Sequence, residues 1–239
     1  MKDNTSYDFL EQNIAACFET WKVLKNSPDS RITLCRHRES RRLFVIRRFS
    51  GEVSVYRRLM EISCPALPRV YEAVERDGNL LVLEEYIQGD SLEMLLEGGL
   101  FSEKQTRKIA SQVCEALWVL HRMGAVHRDV KLSNVLLRSD RDQAVLIDFN
   151  ASRIFKPNQD TDTVVLGTPG YAAPEQYGMS QTDGRTDIYA LGVMMNYMLT
   201  GEHPSRRLAP GRMGRIIRRC TMMSPNERYP DVRHLAEAL

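Results

Sequence analysis

The sequence predicts an α+β protein of two unlike lobes. A small N-terminal lobe is built on an antiparallel β-sheet with one helix, and a larger C-terminal lobe is mainly α-helical. Three observations predict this. Up to about residue 85, short runs rich in Val, Ile, Leu and aromatic residues alternate with turn residues. From Ser91 onward, apolar residues recur at helical spacing instead. The two textures meet near "EEYIQGD", residues 84–90. A chain of 239 residues is long enough for one large domain or two small lobes.

The elements follow in order. Residues 8–19, "DFLEQNIAACFE", space Phe9, Ile14 and Phe18 for a helix, an N-terminal extension over 1–19. "TWKVLK" and "RITLCRH" flank the turn-rich "NSPDS" and read as a hairpin, with "RLFVIRRF" as the third strand. "GEVSVYRRLMEI" puts Val55, Leu59 and Ile62 on one helix face. "RVYEAVERDGNLLVLEEYI" is two strands joined at "RDGN", where Asp-Gly favours a hairpin turn. "SLEMLLEGG" begins on a Ser cap and ends on glycine. "SEKQTRKIASQVCEALWVLHRMG" is a long amphipathic helix capped by Ser102 and closed by Gly124. "AVLIDF" is a short buried strand, and "DGRTDIYALGVMMNYMLTG" a second long helix, apolar enough after Asp187 to be buried. The remainder is helical. No internal repeat or low-complexity segment interrupts the chain.

Composition narrows the function. Hydrophobic residues make up 43% and charged residues 27%, as in an ordinary globular protein. A net charge of +2 gives no sign of a nucleic-acid binder. The arginine clusters at 36–48 and 212–219 read as solvated faces and helix ends. Five cysteines, an odd number with no C-x-x-C, argue against a disulfide framework or zinc site and for a reducing compartment. No apolar run approaches eighteen residues, and "MKDNTSYDFL" lacks a signal peptide's apolar core. The expectation is a cytoplasmic protein without a membrane segment.

One stretch carries chemistry. "AVHRDVKLSNVLLR", residues 125–138, sets His127, Arg128, Asp129, Lys131, Ser133 and Asn134 between apolar anchors. Phosphoryl transfer to a hydroxyl needs that hydroxyl oriented, the phosphates held and metal-borne charge nearby. An Asp can accept the hydroxyl's hydrogen bond and proton, and a Lys can balance the phosphoryl charge. An Asn oxygen and a second Asp can hold a hard cation. Asp129, Lys131, Asn134 and, after one strand, Asp148 supply that set in the order H-R-D-x-x-x-x-N, strand, D-F.

These motifs resemble the protein kinase superfamily, and within it the bacterial Ser/Thr kinases. Lys131 in "HRDVKLSN" stands where Ser/Thr kinases carry lysine. "GTPGYAAPEQYG" resembles the end of an activation segment, with Ala173, Pro174 and Glu175 as its A-P-E element and Thr168 facing the acceptor hydroxyl. "DIYALG" resembles the start of the large buried helix, with Asp187 bonding back to the catalytic loop. "SPNERYP" resembles the late segment whose arginine, here Arg228, pairs with Glu175. The elements run in family order over residues 20–235.

The resemblance implies a two-lobed kinase domain over 20–239: small lobe 20–84, hinge 85–90, large lobe 91–239. It implies a Ser/Thr protein kinase that moves the γ-phosphoryl group of ATP to a protein hydroxyl, with magnesium or manganese. Asp129 becomes the catalytic base, Lys131 the phosphate stabiliser, and Asn134 and Asp148 the metal ligands. Backbone groups from Glu85 to Ile87 meet adenine, and Leu24, Ile32, Val45 and Leu136 sandwich it, unless these four are core residues only. Arg128 beside Asp129 implies control by the activation segment, because a basic group there can pair with a phosphorylated residue; Thr161, Thr163 and Thr168 are candidate phosphosites. A regulatory partner or a homodimer fits the same scheme.

The small lobe departs from the pattern. Between Leu24 and Ile32 the chain reads "KNSPDSR", without glycine; Ser27 and Ser30 fall at two of the three glycine positions, and Pro28 removes an N–H. The β3 lysine position holds Arg47, which keeps the charge in a longer, forked form and has an even claim to a phosphate role. Val55 stands where the helix glutamate belongs, with Glu52 one turn earlier. Glu84 occupies the gatekeeper position, where a buried charge needs a partner. Arg47 and Glu84 on neighbouring strands are candidates to pair in place of the missing bridge. "DFN" puts Asn150 at the third position of D-F-G, where its tolerance of left-handed backbone keeps Asp148 in reach of a metal. The alternative is therefore a pseudokinase, a nucleotide-binding or scaffolding module that does not transfer.

Overall fold

The computed structural model describes residues 4–28, 30–140, 142–154, 168–177 and 182–239. The chain divides into two compact units, Met1–Cys64 with Pro68–Ile87, and Pro65–Leu67 with Gln88–Leu239.

The first unit runs α1 (Asn4–Cys17), β1 (Phe18–Ser27), β2 (Ser30–His37), β3 (Leu43–Ser50), α2 (Ser54–Leu59), β4 (Val70–Arg76) and β5 (Asn79–Glu85). Its five strands form one antiparallel sheet in the order β1-β2-β3-β5-β4. Ser27 pairs with Ser30, so the first hairpin closes over two residues. The "RDGN" turn has Asp77 at φ 51° and Gly78 at φ 77°, two successive left-handed residues, as a tight two-residue hairpin requires.

Strand alternation gives the sheet two different faces. One face buries Cys35, Ile46, Val74, Leu81 and Leu83 against Tyr7, Leu10 and Ile14 of α1. The helix thus starts earlier than its apolar spacing suggests and turns a different stripe inward: Phe9 is 67% exposed, and Phe18 opens β1 instead of closing the helix. The i, i+3, i+7 set of Tyr7, Leu10 and Ile14 is the more complete apolar stripe. The other face carries Val45, Arg47 and Phe49, and Phe49 meets the Tyr56 ring of α2 at 5.6 Å. The α2 helix spans six residues, shorter than the expected 51–62, and buries Val55, Tyr56 and Leu59.

The second unit runs β6 (Gly89–Ser91), α3 (Leu92–Glu97), α4 (Glu103–Arg122), β7 (Ala125–Val126), β8 (Val135–Arg138), β9 (Ala144–Leu146), β10 (Arg153–Ile154), α5 (Gly184–Thr200), α6 (Gly211–Cys220) and α7 (Val232–Ala238). Two small sheets, β6-β8-β9 and β10-β7, flank the loop that carries the polar motif. Ser102 caps α4 in a full capping box with Gln105, and Gly124 follows the helix at φ 72°. The α5 helix is capped by Asp183, ends on Gly201 at φ 73°, and is buried along most of its length. Gly192 lets α5 lie against α6: a Cβ there would stand 2.4 Å from Cys220 Cβ. Among the described residues, no helix is long and apolar enough to cross a membrane.

Candidate active site

The polar loop between β7 and β8 is held from beneath by α5. Asp187 in the first turn of that helix is fully buried, and its two oxygens accept from the backbone N–H groups of His127 (2.9 Å) and Arg128 (2.8 Å). Arg128 sits at φ 69°, a left-handed conformation unfavourable for a long side chain, so the Asp187 contacts hold a strained turn in place. His121, at the end of α4, lies 2.7 Å from the same carboxylate through Nε2. Burial raises the Asp187 carboxyl, but His121 and the His127 amide outweigh it and hold the group below its ordinary value. His127 is itself fully buried, and desolvation lowers its ring below the usual histidine value. Its Nε2 faces the Ile147 carbonyl at 3.3 Å, and Ile147 N–H donates to Asn134 O at 2.8 Å, which ties the loop to the strand before Asp148.

On this footing three groups converge. Lys131 Nζ lies 2.8 Å from Asp129 Oδ2 and donates to Thr168 Oγ1 at 2.7 Å. The Thr168 hydroxyl in turn donates to Asp129 Oδ1 at 2.6 Å. The result is a carboxylate, an ammonium and a hydroxyl in mutual contact. Asn134 Nδ2 donates to both the backbone oxygen and Oδ2 of Asp129, at 2.9 Å each. Both contacts use the amide nitrogen, so the Asn134 side-chain oxygen is left as an acceptor. Asp148 sits at φ 68°. The left-handed residue is thus the aspartate and not Asn150 as expected; Asp tolerates this region nearly as well as Asn, and the turn comes two residues earlier. Leu136 lies in β8, half-buried.

The segment from Thr168 is anchored to the rest of the unit. Gln176 donates through Nε2 to Arg128 O and accepts from Ala173 N–H, both at 2.9 Å. Glu175 and Arg228 form a buried two-pronged ion pair at 2.7 and 2.9 Å. Thr186 donates to Glu175, and the backbone oxygens of Arg185, Met222 and Met223 take the rest of the guanidinium. Every donor of this buried cation has an acceptor, the condition under which burial is tolerable. Thr161 and Thr163 lie outside the described residues.

In the first unit, Val45 pairs with Glu84 and Arg47 with Val82 in register, so Arg47 and Glu84 are diagonal neighbours on one face. Arg47 Nε donates to Glu84 Oε1 at 2.5 Å, with both residues buried. The pair anticipated from the sequence is present, and the arginine is engaged by the sheet's own glutamate. Ile32 and Val45 share that face and are buried, Ile87 is buried, and Leu24 on β1 is 46% exposed. Glu85 donates its N–H to Arg69 O and accepts from Arg69 N–H through Oε2. Val55 is buried where a paired acid was missed.

His121 and Gln176 were not singled out in the sequence. Their partners lie 66 and 48 residues away, and nothing in their neighbourhoods marks them.

The protein kinase domain family matches residues 23–237. Serine/threonine-protein kinase PknA of Nostoc sp. (strain PCC 7120) is 30% identical over 215 residues, which cover 80% of this chain and 38% of the relative. Serine/threonine-protein kinase D of Synechocystis sp. (strain PCC 6803) is 30% identical over 213 residues, covering 80% and 41%. The human serine/threonine-protein kinase DCLK3 is 28% identical over 211 residues, covering 82% and 32%. The chain spans about two fifths of the length of the first two relatives. A match over nine tenths of the sequence, in which the loop, its buried aspartate anchor and the Glu175–Arg228 pair all fall, makes this chain a member of the protein kinase domain family.

Proposed function

We propose that the chain is an active Ser/Thr protein kinase domain, assigned to residues 20–239 with 1–19 as an extension. The observation that carries this is the Asp129–Lys131–Thr168 contact set. A hydroxyl already donates to Asp129 at 2.6 Å with an ammonium 2.7 Å from the hydroxyl oxygen. An acceptor Ser or Thr in the place of that hydroxyl would form a bond from its oxygen to the γ-phosphorus of ATP. The bond from that phosphorus to the bridging oxygen of ADP breaks, and the acceptor's proton passes to Asp129. Lys131 offsets charge on the transferring group.

The donors present suit magnesium or manganese. No group of three or more His, Cys, Asp or Glu among the described residues is placed to hold a metal alone. Magnesium is commonly held by one or two carboxylates together with substrate phosphates. Asn134, with its oxygen left to accept, and Asp148 are the residues assigned to it. Bound there, the metal supplies positive charge to the phosphates. Arg47, Ile32, Val45, Leu24, Glu85, Ile87 and Leu136 are assigned to the nucleotide. A cytoplasmic setting suits a protein whose five cysteines form no disulfide. A regulatory partner or second copy belongs to the same reading.

One observation favours a pseudokinase instead: Arg47, the cation at the β3 lysine position, is held by Glu84. Labelled ATP with magnesium or manganese separates the two readings. The protein is incubated alone and with a generic basic acceptor, beside an Asp148→Asn variant. Incorporation by the parent and not by the variant supports transfer. No incorporation, with a thermal shift on adding nucleotide, supports a binding module.

A further inference from the structure

At the end of the first unit's sheet, three elements meet: the β1–β2 hairpin, the end of β3 and the β4–β5 hairpin. They enclose a recess of about 390 Å³, closed on one side by Tyr7 of α1. Among the described residues its charged lining is Arg31, Arg48 and Arg76. Ser27, Ser50 and Asn79 add hydroxyl and amide groups.

One feature of this recess calls for an anion. Arg31 and Arg48 are direct cross-strand partners in the β2–β3 register, so two guanidinium groups stand side by side on one sheet face. Like charges directly opposite each other destabilise a sheet unless something offsets them. The acids nearby offset this only in part. Arg76 pairs with Asp8, and Glu11 lies 3.9 Å from both Arg48 and Arg76, while Arg31 has no ion-pair partner among the described residues.

The site is separate from the one described above. Strand alternation places Arg31 and Arg48 on the face that α1 covers, opposite Arg47 and Glu84. All of its lining belongs to one unit.

We propose that this recess binds a phosphate monoester or free phosphate dianion, gripped by Arg31, Arg48 and Arg76. Guanidinium forks match phosphate oxygens in pairs, and all the cations here are arginine. At a liquid's share of about 30 Å³ per water the recess holds roughly a dozen waters, enough for a phosphoryl group and what carries it.

Calorimetric titration of the intact protein with inorganic phosphate, O-phosphoserine and serine tests this, at pH 7.5 and at pH 5. Phosphate and phosphoserine should bind and serine should not. Binding should weaken at pH 5, where the phosphoryl group, with a second pKa of about 6, loses a charge. Arg31→Gln and Arg48→Gln should each weaken binding by about tenfold or more, the worth of a hydrogen bond to a charged group. Tighter binding of phosphoserine identifies a phosphorylated side chain as the source; equal or tighter binding of inorganic phosphate identifies the free ion. Binding unchanged in both arginine variants, or no binding of either phosphate probe at 10 mM, would overturn the proposal.

Discussion

Replacing Glu84 by glutamine tests whether the small sheet depends on its internal ion pair. Arg47 is 4% exposed and Glu84 2%, so neither charge can turn to water when its partner is removed. Glu84→Gln keeps the volume and removes the charge, leaving the Arg47 guanidinium buried against a neutral amide. Removing one partner of a buried ion pair costs about 3–5 kcal/mol. The double variant Arg47→Met, Glu84→Leu removes both charges and should recover most of that loss, since replacing a buried pair by apolar residues is often neutral or stabilising by about 1–4 kcal/mol. The chain has two tryptophans, Trp21 on β1 and Trp118 on α4. In a Trp118→Phe background, urea unfolding followed by fluorescence therefore reports the first unit. A cost below about 1 kcal/mol for Glu84→Gln, the range of solvated surface pairs, would refute the reasoning.

Three further predictions follow from the second unit. The folded pKa of His127 lies below its unfolded value, so the unfolded state takes up a proton first as pH falls. Stability is then fully present above about pH 6.5 and falls by up to about 1.4 kcal/mol per pH unit until the depressed folded value is reached; His127→Gln should flatten that limb of a urea-midpoint profile. Gly192→Ala should lower stability by about 1–3 kcal/mol despite its better helix propensity, because the new methyl meets Cys220 Cβ at 2.4 Å; a rise in melting temperature would contradict this. Ser102→Ala should cost about 1 kcal/mol by removing the α4 capping box, read by the same melts.

How much was legible in the sequence depended on how local each feature is. The polar loop at 127–134 could be read because its groups lie within eight residues and their spacing is itself the signal. The α4 cap and the Asp-Gly turn could be read for the same reason. The Arg47–Glu84 pair could be anticipated because two departures from one pattern fell on neighbouring strands, and register then decided the contact. The inward face of α1 was misread because Phe9 and Phe18 are apolar but unsupported by the i, i+3, i+7 set that packs. The left-handed turn at Asp148 was assigned to Asn150, since propensity favours asparagine and only the tertiary path of the chain places the turn. His121, Gln176 and the cross-strand Arg31–Arg48 pairing depend on which distant segments meet, which no local pattern encodes.

The most direct test of transfer at Asp129 is single-turnover transfer from labelled ATP, compared between the parent protein and Asp129→Asn, with nucleotide binding measured on both. Asp129→Asn should lose about 10²–10⁴ in the transfer rate, the usual worth of a positioned base, with nucleotide affinity unchanged. Equal transfer rates, or no transfer from the parent although nucleotide binds, would contradict this.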